Sequence, residues 1–114
     1  MEHILNFEQH SPARDSRNAS RHFVQQFRIR ENILKAGIMI NGAEYERAII
    51  TLNEVLAEDP NNIDALNDIT TAYIFNSDFI QAINTIHRVL ELDPGNEDAL
   101  FRLTYIKTRN ECTN

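Results

Sequence analysis

Asp64 and Asp68 stand four residues apart, one turn of a helix, and Glu58-Asp59 and Glu97-Asp98 are adjacent carboxylate pairs. Carboxylates so spaced are the raw material of general acid–base chemistry, in which one holds a proton while the other is ionised. Here no nucleophile or second base accompanies them. Acidic residues suit the positive end of a helix dipole, so these pairs read as caps and solvated faces. His3, His10, His22 and His87 show neither HxH nor HxxxH spacing, and Cys112 has no CxxC partner, so no metal site is expected. His87 falls on the exposed side of its helix, between the stripe residues Ile86 and Val89. Cys112, in a polar terminus, lacks the base that would make it a nucleophile. There is no GxxxxGK or GxGxxG to cradle a phosphate. Asn18-Ala19-Ser20 is a formal glycosylation site, discounted because no secretory leader precedes it. The chain is expected to be no enzyme and to need no cofactor.

Bulk composition points the same way. A chain of 114 residues is one domain that can bury a core without staples. Three glycines and three prolines are too few for a turn-dense β protein, and Leu and Ile dominate the apolar set. A single cysteine and the lack of a signal sequence predict a reducing, cytoplasmic setting. No apolar run approaches the length of about 18 residues that a membrane span needs, so no membrane partner is expected. The net charge of −6 is unevenly placed. Residues 1–30 carry five Arg against Glu2, Glu8 and Asp15, for +2; residues 31–114 carry six basic and fourteen acidic residues, for −8. An acidic body argues against nucleic acid, which needs clustered Lys and Arg against its phosphates.

Periodicity supplies the elements. Residues 1–19 have one apolar patch, Ile4-Leu5 with Phe7, and read as a flexible N-terminal arm. Ser20 is a good N-cap, and Phe23, Phe27, Leu34 and Ile38 recur on one helical face, predicting a helix over about 21–41 that ends at Asn41-Gly42. A second helix, about 44–58, carries Tyr45, Ala48, Ile49, Leu52, Val55 and Leu56, and Asp59-Pro60 ends it. A third, about 63–76, presents Ile63, Leu66, Ile69, Ala72 and Tyr73. A fourth, about 78–92, presents Phe79, Ala82, Ile83, Ile86, Val89 and Leu90. Asp93-Pro94-Gly95-Asn96 leads into a fifth, with Leu100, Leu103 and Ile106. The helical domain is placed at 20–110, with a polar tail at 111–114.

Pro60 and Pro94 are 34 residues apart, and the segments before them superimpose: Tyr45 on Phe79, Ala48 on Ala82, Ile49 on Ile83, Leu52 on Ile86, Val55 on Val89, Leu56 on Leu90. Such an interval marks stacked helix–turn–helix units. The chain resembles the tetratricopeptide repeat family, whose motif has an aromatic, a Leu, a small residue and a Tyr on its opening helix, then Ala, an apolar residue and Pro. Leu66, Ile69, Thr70, Tyr73, Ala82, Ile86 and Pro94 fill these places in the second unit. Ala48, Leu52 and Pro60 fill the later ones in the first. In the first opening helix Ala36 takes the small position without a gap, or Ile33, Ala36, Gly37 and Ile40 fit with one residue deleted. Leu100, Leu103, Thr104 and Lys107 open the third. The resemblance covers roughly 31–109. It implies an all-α, antiparallel α-solenoid of about two and a half units (29–62, 63–96 and a capping helix at 97–109), with the helix from 21 as N-terminal cap.

The resemblance also implies a concave groove lined by the opening helices. By position that groove includes Ile33 and Ile40 from the first unit, and Asn67, Thr71, Ile74 and Phe75 from the second. The third adds Asp98, Phe101, Arg102, Tyr105 and Arg109. Family members that grip the C-terminal carboxylate of chaperones use Lys, Asn and Arg at places occupied here by Ile33 and Gly37 (or Leu34 and Ile38), Asp68, Asp98 and Arg102. Only Arg102 fits, so that clamp is excluded. The expected function is a protein-binding adaptor with Phe75, Phe101 and Tyr105 as anchors and Arg102 and Arg109 set against an acidic group. The alternative is a self-associating assembly protein, a homodimer in which Leu103 and Ile106, or Phe101 and Tyr105, of the last helix are buried between chains or under a neighbour's arm.

Overall fold

The computed structural model describes the backbone of residues 12–113 and the side chains of residues 20–109. The protein is all-α: α1 (Pro12–Asn41), α2 (Tyr45–Glu58), α3 (Ile63–Phe75), α4 (Phe79–Leu92) and α5 (Glu97–Thr113), with no strand among the described residues. The links at 42–44, 59–62, 76–78 and 93–96 fall where the turn residues predict them. Two ends differ. Helix α1 begins at Pro12 rather than near 21; proline suits a first helical position, where its missing N–H is not needed and its fixed φ is already helical. Helix α5 runs on to Thr113 because no Gly or Pro interrupts it, although its apolar pattern stops earlier. The arm residues 1–11 lie outside the described residues, whereas 12–19, also assigned to the arm, are helical.

The chain divides into two units, Met1–Glu31 and Asn32–Asn114. In the first, Phe23, Val24 and Phe27 are exposed. In the second, each helix from α2 onward packs against the next: α2 on α3, α3 on α4, α4 on α5.

Small residues are the most completely buried. Ala36, Ala48, Ala65, Ala72 and Ala82 are wholly buried, and Leu52, Val55, Ile69, Ile86, Val89 and Ile106 fill the space around them. Thr70 is the only buried polar side chain among the described residues. Its hydroxyl lies 2.7 Å from the Leu66 carbonyl and 2.6 Å from the Thr85 hydroxyl, pairing α3 with α4 about the turn at 76–78. Burying a hydroxyl unpaired would cost a few kcal/mol, about 1–3 by mutational measures; here it is satisfied.

The turns repeat atom for atom. Asn62 caps α3 by accepting from the Ala65 N–H at 3.0 Å while its amide donates to Asp59; Asn96 does the same to Ala99 and Asp93. The other two turns share a doubly hydrogen-bonded helix end. Glu44 N–H donates to the Met39 carbonyl and Ala43 N–H to Ile40, as Asp78 donates to Tyr73 and Ser77 to Ile74. Ala43 and Ser77 both take φ 62°. The positive φ thus falls on Ala43, not on Gly42, because the residue after the C-cap, two past the last helical residue, carries the reversal, as Ser77 does after Asn76.

These turns also fix the rotation of α1. Met39, Ile40, Ala43 and Glu44 match Tyr73, Ile74, Ser77 and Asp78 at an unbroken interval of 34, so no residue is deleted and Ala36 takes the small position. Ala36 is buried and Ile33 and Ile40 half-buried, while Leu34 and Ile38 are exposed, as are Phe23 and Phe27. The face read as α1's core stripe is therefore its outer one. Leu34 lies about 200° around the helix from Ala36, and only the small side allows close packing.

Candidate functional site

Helices α3 and α5, two elements apart in the chain, face one another across an open depression of about 400 Å³. Thr71, Ile74 and Phe75 line it from α3, and Asp98, Phe101, Arg102 and Tyr105 from α5. The spacing explains the gathering: 71, 74 and 75 recur at helical intervals, as do 98, 101, 102 and 105, so each set forms one stripe. The core is supplied by the neighbouring stripes, Leu66, Ile69 and Ala72 on α3 and Ala99 and Ile106 on α5. Phe101 is 73% exposed, Phe75 57% and Tyr105 44%. These rings are therefore surplus to the core and open to solvent.

The polar contacts are specific. Arg102 donates to the Asn67 side-chain oxygen at 3.4 Å, tying α5 to α3. Burial pushes the Asp68 carboxyl above its ordinary value, the negative charge of Asp64 adds to the rise, and the Arg102 guanidinium pulls the other way. Arg109 lies with its guanidinium carbon 5.6 Å from the Phe79 ring centroid and donates to the Tyr105 hydroxyl at 3.5 Å. Phe75 meets Tyr45 of α2 at 5.6 Å between ring centroids. Its outer face remains in the depression.

Of the residues singled out from sequence, Thr71, Ile74, Phe75, Phe101, Arg102 and Tyr105 come together in this depression with Asp98. Asn67 borders it through its bond to Arg102. Ile33, Ile40 and Arg109 are not among its lining residues. One assignment is corrected. Ile106 is 1% exposed within its own chain's core and is not left for a partner chain; Leu103 packs partly buried against that core, and the apolar residues α5 shows to solvent are Leu100 and the other expected pair, Phe101 and Tyr105. Arg102 donates to Asn67 and Arg109 to Tyr105 beside the Phe79 ring, contacts that fix where the two guanidinium groups lie.

Sequence reading missed Thr85, and it put Tyr45 on an apolar stripe without its contact to Phe75. The signal for Thr85 was a polar residue at a position facing Thr70 across a short turn. Tyr45 is legible only as the equivalent of Phe79, a position that also carries a ring contact.

His87 is exposed, as its position predicts. Among the described residues no group of three His, Cys, Asp or Glu side chains gathers as a metal site, and no helix is long and apolar enough to cross a membrane. The arrangement thus offers open aromatic surface beside fixed charges. No family model matches the chain, and a search of curated proteins found no match.

Proposed function

We propose that the protein is a non-enzymatic interaction module of the tetratricopeptide-repeat kind, an α-solenoid whose concave side binds a segment of another polypeptide. Three observations support the solenoid: turns that repeat at 34 residues with the same hydrogen bonds, helices that pack in sequence order, and the contact of Asn67 with Arg102 between the opening helices of successive units. The observation that carries the binding function is the open depression between α3 and α5. Its rings are exposed although the core is complete without them. Contiguous apolar surface held on rigid helices is the usual mark of a binding groove.

A photo-crosslinking side chain at Phe101 tests this in extract from the native host. It should yield a discrete adduct, and the same probe at Ile80, which is 77% exposed on α4 and outside the depression, should not. Equal labelling at both positions, or none at Phe101, refutes the reading.

A further inference from the structure

Charge and shape in the depression go together. Asp98 lines it directly, and Asp68 sits one helical turn from Asp64 on α3, close enough that their charges interact. Asp98 lines the depression beside Arg102, whose charge acts on Asp68 and whose N–H is donated to Asn67; Asp64 lies one turn beyond Asp68, and Arg109 stands at the far end, donating to the Tyr105 hydroxyl. The acidic end thus keeps an excess of negative charge. The body around it, residues 32–114, carries six basic against thirteen acidic residues, so the wider field has the same sign. At the other end Phe75, Phe101 and Tyr105 present apolar rings.

We infer that the depression between α3 and α5 takes a cationic amphipathic peptide, with bulky apolar side chains on Phe75, Phe101 and Tyr105 and a Lys or Arg against Asp98 and Asp68. The inference rests on the interaction-module reading and adds the chemistry of the ligand. Aromatic rings suit it doubly: they offer apolar area, and their faces attract a Lys or Arg head. An acidic peptide meets the opposite situation, because its carboxylates would be desolvated beside like charges. Long-range attraction between an acidic body and a basic peptide speeds encounter and is screened by salt.

The test is selection of peptides from a random phage-displayed library on the full-length protein, counter-selected on its Phe101→Ser variant. Phe101 is exposed, so that variant keeps the core. Enriched sequences should combine Lys or Arg with Leu, Ile or Phe. A synthetic peptide of the enriched type should lose about tenfold in affinity on Asp98→Asn and again in high salt, whereas its Lys→Glu counterpart should not bind. Enrichment of acidic peptides, or equal binding by the Lys→Glu counterpart, overturns the charge inference and leaves the groove standing. Absence of enrichment over Phe101→Ser overturns the groove reading with it. Self-association of the protein that Phe101→Ser abolishes makes a second copy the occupant and overturns the inference of a separate cationic ligand.

Discussion

At Asp68 the usual sense of acid denaturation is reversed. Its carboxyl titrates above the ordinary value when folded, so the native state holds the proton more tightly than the unfolded chain. The residue therefore costs stability wherever it is ionised in the fold. That cost is present at neutral pH and is relieved as pH falls through the raised value. Asp68→Asn should raise stability at neutral pH, because it removes the cost of burying the charge and, beside it, the repulsion from Asp64, which across one helical turn is worth about 0.2–0.5 kcal/mol. The gain should shrink to nothing at a pH where the parent carboxyl is already protonated. Urea unfolding of both proteins at neutral and acid pH measures it; a variant less stable than the parent at neutral pH would mean the Arg102 attraction dominates. The Asp64–Asp68 pairing was legible from spacing. The guanidinium of Arg102 was not, because it lies on another helix and reaches α3 only when the units stack.

At the scale of the elements, the turns hold the repeat together. Asn62 and Asn96 each satisfy a free helix N–H and tether the preceding aspartate, so one side chain both starts a helix and closes the link before it. Replacing either by Ala should cost about 1 kcal/mol, as loss of a capping oxygen does. Because the two caps share no partner, the double substitution should cost the sum in chemical denaturation. A loss of only a few tenths at both sites would show that water caps these helices equally well. Breaks at Asp-Pro were readable from residue type alone. The positive φ at Ala43 was not, since neither Ala nor Ser advertises a left-handed conformation and the neighbouring Asn41-Gly42 does.

In the molecule as a whole, stability is shared between neighbours. Helix α5 contributes Ala99, Leu103 and Ile106 to the cluster that also holds Leu66, Ile86 and Val89. Full burial of an Ile side chain is worth about 1.5–3 kcal/mol. A chain ending at Asn96 would bare the α3–α4 core and leave the first units without a cap. We expect such a chain to lose its cooperative thermal transition by circular dichroism, while one ending at Arg109 keeps it. A sharp melt in the shorter chain would show that α5 is dispensable.

The sequence by itself determined that the chain is helical, where its helices break from residue 42 onward, and that its units recur at 34 residues. Those properties are local, set by apolar period, by proline and glycine, and by self-similarity along the chain. The resemblance to a repeat family, carried over position by position, also put Thr71, Ile74, Phe75, Phe101, Arg102 and Tyr105 in one groove, and the structure brings these six together. Only tertiary structure decided which stripe turns inward. Phe23, Phe27, Leu34 and Ile38 make as good an apolar face as any, yet the face with Ala36 is buried, since close helix approach depends on the neighbour and favours the small side chain. For the same reason Ile106 went to the core and Arg109 to Phe79: burial and pairing are properties of what lies across the contact, and that is not written in the spacing of one helix.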